Sequence, residues 1–529
     1  MPLFNGNDLL AAGWPPGPWI AAMLKEAADM EARGIHDPAY ALKLLRRAYP
    51  PPDPKRPLRS EPAPLTEAIA PTNPDDEANI AACRRFMNDL LRVPVVERGS
   101  LMPDACPAGA ARATIPVGGA IAVRSAIIPA AHSADICCSL HATFFRADLP
   151  VARQLDALAS VTRFGFGGRP EEQWVHHPVL DEPVWDNPFL RGLERHAAMH
   201  LADQGDGNHF AFLGKVTFTR DVLRRYEAAG HDDFARRIAD QSGDSGEFLA
   251  LVTHHGSRGL GAHVYKRGQQ AALDHTGRVA QGIPDAAAWL DTTEPDGIAY
   301  WDALQYISRW TLANHHAIHD RFLRATGATA VATMSNEHNF VWQEGDLFLH
   351  GKGATPAWND AFGRPLPGLI PLNMAAPILM VLGRQNREFL SFAPHGAGRN
   401  FSRTAIAKPY RDRKTGLPDP DLVRKAIAAA TPGLDIRWFC GTPDVTESPL
   451  GYKPADQVRA QIETFGLADI TAEITPLGSL MAGDPGPAPW KRRKDELSPK
   501  QLRQIEHRAD RRKLKQHLLH PDEEADDPA

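Results

Sequence analysis

An α+β fold, with one large mixed domain between two smaller terminal units, is what the sequence predicts, and three observations carry the prediction. Short apolar runs of strand character, Ala120–Val123, Leu249–Thr253, Ala330–Thr333 and Leu347–His350, alternate with helical stretches at Pro150–Val161, Arg220–Ala229 and Tyr300–Arg324. Composition shifts near both ends, to proline after about residue 50 and to charge after Pro489. The 529 residues are 43% hydrophobic and 23% charged, enough to bury a large core without disulfides. Widespread disorder and a collagen-like repeat are excluded.

Residues 1–60 form a helical N-terminal unit. Trp19 to Arg33 is a helix between Pro15-Pro16-Gly17-Pro18 and Gly34, and Ala39 to Ala48 is a second, ended by Pro50-Pro51-Pro52. Residues 61–74 are a Pro-rich linker, and 75–485 are the large mixed domain. Residues 486–529 form a C-terminal extension. Lys491 to Gln516 holds eleven Lys and Arg against four Asp and Glu in a helix-prone stretch, and Pro521 to Ala529 carries five acids. This is either a solvated basic helix or an arm for a phosphate backbone.

No basic start followed by an apolar stretch opens the chain, and the most apolar run, Leu369 to Leu382, is broken by Pro371, Asn373 and Pro377. Neither secretion nor a membrane partner is expected. The five cysteines, Cys83, Cys106, Cys137, Cys138 and Cys440, have no framework spacing. They point to reduced thiols in the cytoplasm, where a functional thiol is a metal ligand or a nucleophile. The net charge of −5 leaves room for a local basic cleft.

The chemistry lies in five short segments: SADICCSL (133–140), GDGNHFAFLG (205–214), THHGSRGLG (253–261), SNEHNF (335–340) and HGAGRN (395–400). They supply Asp135, Cys138, His209, His254 and His338, an inventory for two neighbouring transition metals. A thiolate can bridge two ions, and two-metal phosphoryl chemistry uses a separation of roughly 3.5–4 Å. Asp135 and Cys138 are close enough for a tight turn to bring both to one centre. The ligands are too scattered for a structural zinc site. His315, His316 and His319 are a rival cluster without a companion acid or thiol. P-loop, zincin and G-x-S-x-G motifs are absent. HGSRG and HGAGR each set a histidine beside backbone N–H groups and an arginine, which suits phosphoryl or nucleotidyl transfer through a covalent histidine.

Taken in order, D-I-x-C, G-x-G-N-H-F, H-x-G-S-R-G-x-G, H-N-[FI], H-x-K-G-A-T-x-A and H-G-A-G-R-x-x-S-R resemble the RtcB family of RNA ligases over about residues 75 to 485. The resemblance implies an RtcB-like catalytic domain. It also implies an enzyme that joins a 2′,3′-cyclic phosphate or 3′-phosphate RNA end to a 5′-hydroxyl end, using GTP and two Mn2+ ions, in RNA repair or tRNA splicing. Its partners would be RNA with broken ends, tRNA or another structured RNA, and an activating protein. One metal would be held by Asp135, Cys138 and His209, and the other by Cys138, His254 and His338. His395 would take GMP as a phosphoramidate.

The resemblance further implies nucleotide contacts from Asn208, His209, His338 and Asn339, from Pro371, Asn373 and Met374, and from Tyr452 near the base. Gly396, Ala397 and Gly398 would cradle the phosphate. Arg258 and Lys352 would meet RNA phosphates or the triphosphate. The chain departs from the family pattern at Cys106 in MPDAC, at Phe212, in the PLNMA loop (371–375), at Ile378 and at Ala482. Losing polar partners for a base weakens discrimination, so guanine preference is expected to relax. Two other readings fit the same residues: a metal-dependent phosphodiesterase or phosphatase of RNA ends that does not ligate, and an RNA-binding protein with a decayed site.

Overall fold

A computed structural model describes residues 2–484 apart from 15, 51–53, 108–111, 166 and 413–417. The basic stretch Lys491–Gln516 and the acidic tail lie outside the described residues. Among the described residues no helix is long and apolar enough to cross a membrane.

Three helices, Gly6–Ala11, Trp19–Ala32 and Pro38–Ala48, open the chain. Asn5 caps the first with a reciprocal bond to Asp8, and Asp37 followed by Pro38 starts the third. They enclose their own small core of Leu9, Trp14, Met23, Met30, Ala41 and Leu45. Residues 61–74, expected to be a linker, are laid against the body instead. The Ala63 N–H donates to the Leu91 carbonyl, and the strand Leu65–Glu67 pairs in parallel with Val96–Cys106. Proline lacks a ladder donor, so a Pro-rich stretch suits an edge strand as well as a tether.

Two sheets build the body. The larger runs in the order Pro367–Pro371, Ile378–Gly383, Ala468–Met481, Phe210–Thr217, Glu247–His255, Ser139–Arg146, Thr329–Glu337, all antiparallel, and Asp435–Trp438 adds in parallel to Ala468–Met481. The smaller runs Leu65–Glu67, Val96–Cys106, Val117–Arg124, Leu347–Lys352, Asn339–Glu344. The alternation of side chains along a strand explains why the larger sheet is buried on both faces. Phe145 packs with Leu155, Trp310 and Phe322 under the helices Val151–Val161 and Pro295–Thr326. Its neighbour Phe144 points the other way, among Phe212, Tyr226, Ile238 and Phe248 under Arg220–Ala228 and Asp232–Gln241.

Register decides where the site forms. In the larger sheet Leu140 lies opposite His254, Phe210 opposite His254 and Ser139 opposite Glu337. Cys138, His209, His254 and His338 therefore sit at one end of four neighbouring strands.

Candidate active site

The four strand ends bring their side chains to a common point. The Cys138 sulfur lies 3.1 Å from His254 Nε2 and 3.6 Å from His209 Nε2. His254 Nε2 is 3.2 Å from His338 Nε2, and His209 Nε2 is 3.0 Å from Asp135 Oδ2. Two donor sets result, Asp135–Cys138–His209 and Cys138–His254–His338, each within 4.8 Å and sharing the sulfur. The turn expected between Asp135 and Cys138 is present, with the Cys138 N–H donating to the Asp135 carbonyl at 3.2 Å. Gly256 is required beside it, because a Cβ there would stand 2.1 Å from Asp135 Oδ1. Ser257 ties the two loops together through its N–H and its hydroxyl, both donating to the Ile136 carbonyl.

These residues fit a pair of cations. His254 Nδ1 lies 3.2 Å from the Asn208 carbonyl, which only accepts, so Nδ1 carries the proton and Nε2 presents its lone pair to the centre. Burial pushes His254 down to about 3 and His338 well below the usual histidine range, which keeps both rings neutral. Burial and the neighbouring Asp135 carboxylate push the Cys138 thiol well up, so a thiolate here needs a cation to sustain it. Sulfur, imidazole and carboxylate together suit a first-row transition metal.

His395 stands beside this centre, its ring 4.9 Å from that of His338. Its Nδ1 is 2.5 Å from Asp104 Oδ2, and its main-chain N–H donates to the same oxygen at 3.2 Å. Asp104 is fully buried. The carboxylate fixes the Nδ1–H tautomer and leaves Nε2 as a free lone pair, the arrangement that makes a histidine nucleophilic. Gly398, at φ +68°, allows the loop after His395 to lie on Asp104, since a Cβ would fall 2.0 Å from the Asp104 carbonyl oxygen.

A cavity of about 640 Å³ joins both features. It is lined by Asp135, Cys138, His254 and His338, by Asn208 and Asn339, by Pro371, Asn373 and Met374, and by His395 to Gly398 and Tyr452. Nearly every site residue named from sequence thus meets one space, and His209 joins through Cys138 and Asp135. Asn339 uses its amide within the chain: Oδ1 accepts from the Gly353 N–H at 2.7 Å and Nδ2 faces the Asp135 carbonyl at 3.4 Å. Lys352 lines the cavity, and the Arg258 guanidinium lies near Asp203 and Asp206 at 3.8 and 3.9 Å. Phe212 and Ile378 line the cavity.

The rival cluster is structural. Both ring nitrogens of His315 and of His319 meet hydroxyls of Ser139, Thr143 and Thr253 at 2.6 to 3.0 Å, behind the strands that carry the ligands. Two residues of the site were not singled out from sequence: Asp104 and Glu447. The buried Glu447 carboxylate accepts from the Tyr452 hydroxyl at 2.6 Å and pairs with Arg399 and Arg403 at 2.7 and 2.8 Å.

Residues 187–482 match the family described as tRNA-splicing ligase RtcB. The chain belongs to the RtcB family. It is 26% identical over 424 residues to the RNA-splicing ligase RtcB2 of Escherichia coli strain ATCC 25922, covering 79% of this chain and 96% of that protein. It is 27% identical over 319 residues to the RNA-splicing ligase RtcB of Mycobacterium bovis, covering 56% of this chain and 66% of that protein. With the tRNA-splicing ligase RtcB of Thermococcus kodakarensis the identity is 24% over 343 residues, covering 59% of this chain and 66% of that protein.

Proposed function

We propose that this RtcB-family protein is an RNA ligase that joins 2′,3′-cyclic phosphate or 3′-phosphate ends to 5′-hydroxyl ends through a nucleotidyl group on His395, with GTP and two Mn2+ ions. The observation that carries the reading is the bond from the buried Asp104 to His395, whose ring opens on the same cavity as the two donor sets. Asp135, Cys138 and His209 would hold one ion, and Cys138, His254 and His338 the other. Ions held there would offset charge on the phosphates.

The chain's own residues do the remaining work. His395 Nε2 attacks the α-phosphorus of the nucleotide and diphosphate leaves, while the proton stays on Nδ1 and the Asp104 carboxylate stabilises the cationic ring that forms. Main-chain N–H groups of Gly396 to Gly398 would cradle the phosphate. The nucleotidyl group passes to the RNA 3′-phosphate, and attack by the 5′-hydroxyl releases the nucleoside monophosphate. Asn208, Pro371, Asn373, Met374 and Tyr452 would surround the nucleotide. With Phe212 and Ile378 on the wall, GTP would be preferred over ATP only weakly.

The test is a joining assay on RNA fragments ending in 3′-phosphate and 5′-hydroxyl, with GTP and Mn2+. A joined product from the wild type and none from His395→Ala supports the reading. Opening or removal of the end phosphate without joining would support the phosphodiesterase alternative instead.

A further inference from the structure

The strand that carries Asp104 is broken where it delivers that residue. Val96–Cys106 pairs with Val117–Arg124, but between Leu101↔Gly119 and Cys106↔Val117 the register shifts, five steps along one strand against two along the other. Such a bulge aims a side chain out of the ladder and leaves main-chain carbonyls without ladder partners. The Pro103 and Ala105 carbonyls, on either side of Asp104, are among them. Both accept hydrogen bonds from the ammonium of Lys453, at 3.2 and 3.0 Å, and Ala105 also accepts from the Asn79 amide at 2.9 Å.

Lys453 is 1% exposed. A buried ammonium is costly unless something holds it there. Among the described residues its ion-pair partner is Asp76, at 3.9 Å, which is also fully buried. The main-chain N–H of Lys453 donates to the Gly398 carbonyl at 3.0 Å, so the same residue grips the loop that follows His395.

We infer that Lys453 is a positioning residue for nucleotidyl transfer: by bonding both carbonyls that flank Asp104 and the carbonyl of Gly398, it sets the carboxylate and the His395 ring in register. It touches none of Asp135, Cys138, His209, His254 or His338. The inference rests on His395 being the nucleotide acceptor.

Single-turnover labelling of the full chain with radiolabelled GTP and Mn2+ tests it. In Lys453→Met the labelling rate constant falls about 10–100-fold, the range expected for losing hydrogen bonds from a charged donor. Lys453→Gln, which keeps an amide donor, loses less. In both, the fraction of chains finally labelled, the GTP concentration at half-maximal rate and the Mn2+ content stay at wild-type values. A purely structural role would lower the labelled fraction and the metal content and leave the rate constant alone. That outcome, or a wild-type rate in Lys453→Met, overturns the inference. If Lys453→Met does not fold, Lys453→Gln decides alone, a slower rate constant supporting the inference and a wild-type one overturning it. A wild-type protein that takes no label sinks the assignment of His395 itself, and the inference with it.

Discussion

Replacing Asp104 by Asn removes one charge from a fully buried site and little else. Oδ2 receives the Nδ1–H of His395 at 2.5 Å and its main-chain N–H at 3.2 Å, and the amide oxygen of Asn fits the same place. What goes is the anion facing a ring that turns cationic as Nε2 bonds to phosphorus. A hydrogen bond to a charged group contributes about 1.5–3 kcal/mol, which corresponds to roughly 10–100-fold in rate. A flipped amide would do more harm, because its NH2 would force the proton onto Nε2, and a wrong tautomer in an analogous triad costs about 10⁴. Rapid-quench measurement of His395 labelling should therefore show a fall of at least about 10-fold with the metal content unchanged. Labelling within about threefold of wild type, at full metal content, would refute the role given to Asp104.

Cys138 belongs to both donor sets, so Cys138→Ala should hold almost no Mn2+, whereas His209→Ala should retain about one ion; metal analysis of the purified proteins distinguishes them. Burial lowers the Lys352 ammonium to about 8, so it is charged below that pH and neutral above it. The KM for a 3′-phosphate RNA end should rise as pH passes about 8 in the wild type and stay level in Lys352→Arg. Gly398→Ala forces a Cβ to 2.0 Å from the Asp104 carbonyl oxygen at φ +68°. It should destabilise the protein by more than about 1 kcal/mol in denaturant unfolding and abolish labelling.

The candidate metal ligands were legible in the sequence because each sits in a short Gly-, Asn- or polar-rich segment near a strand end, where turn chemistry and ligand chemistry show together. That they share one centre depends on the register Leu140↔His254↔Phe210, which joins residues far apart in the chain. Asp104 was within reach, since it stands two residues before Cys106 in MPDAC, but it draws notice only when His395 is seen to need a partner. Glu447 and Arg399 pair across 48 positions, a separation with no local pattern. The sequence could not show that the Arg258 guanidinium lies near the buried Asp203, because that pairing too is non-local. The strands and helices named from apolar period fall within observed elements or miss their ends by a residue. Leu65–Glu67 was hidden by its prolines, which mark a linker and an edge strand alike.

The account stands on a covalent bond at one nitrogen. The protein should be incubated with Mn2+ and GTP, digested under alkaline conditions and examined by tandem mass spectrometry. The account predicts a GMP adduct on the His395 imidazole, lost on brief acid treatment and missing from His395→Ala. An adduct on any other residue, or an unmodified His395 in a chain that nevertheless joins RNA ends, would contradict it.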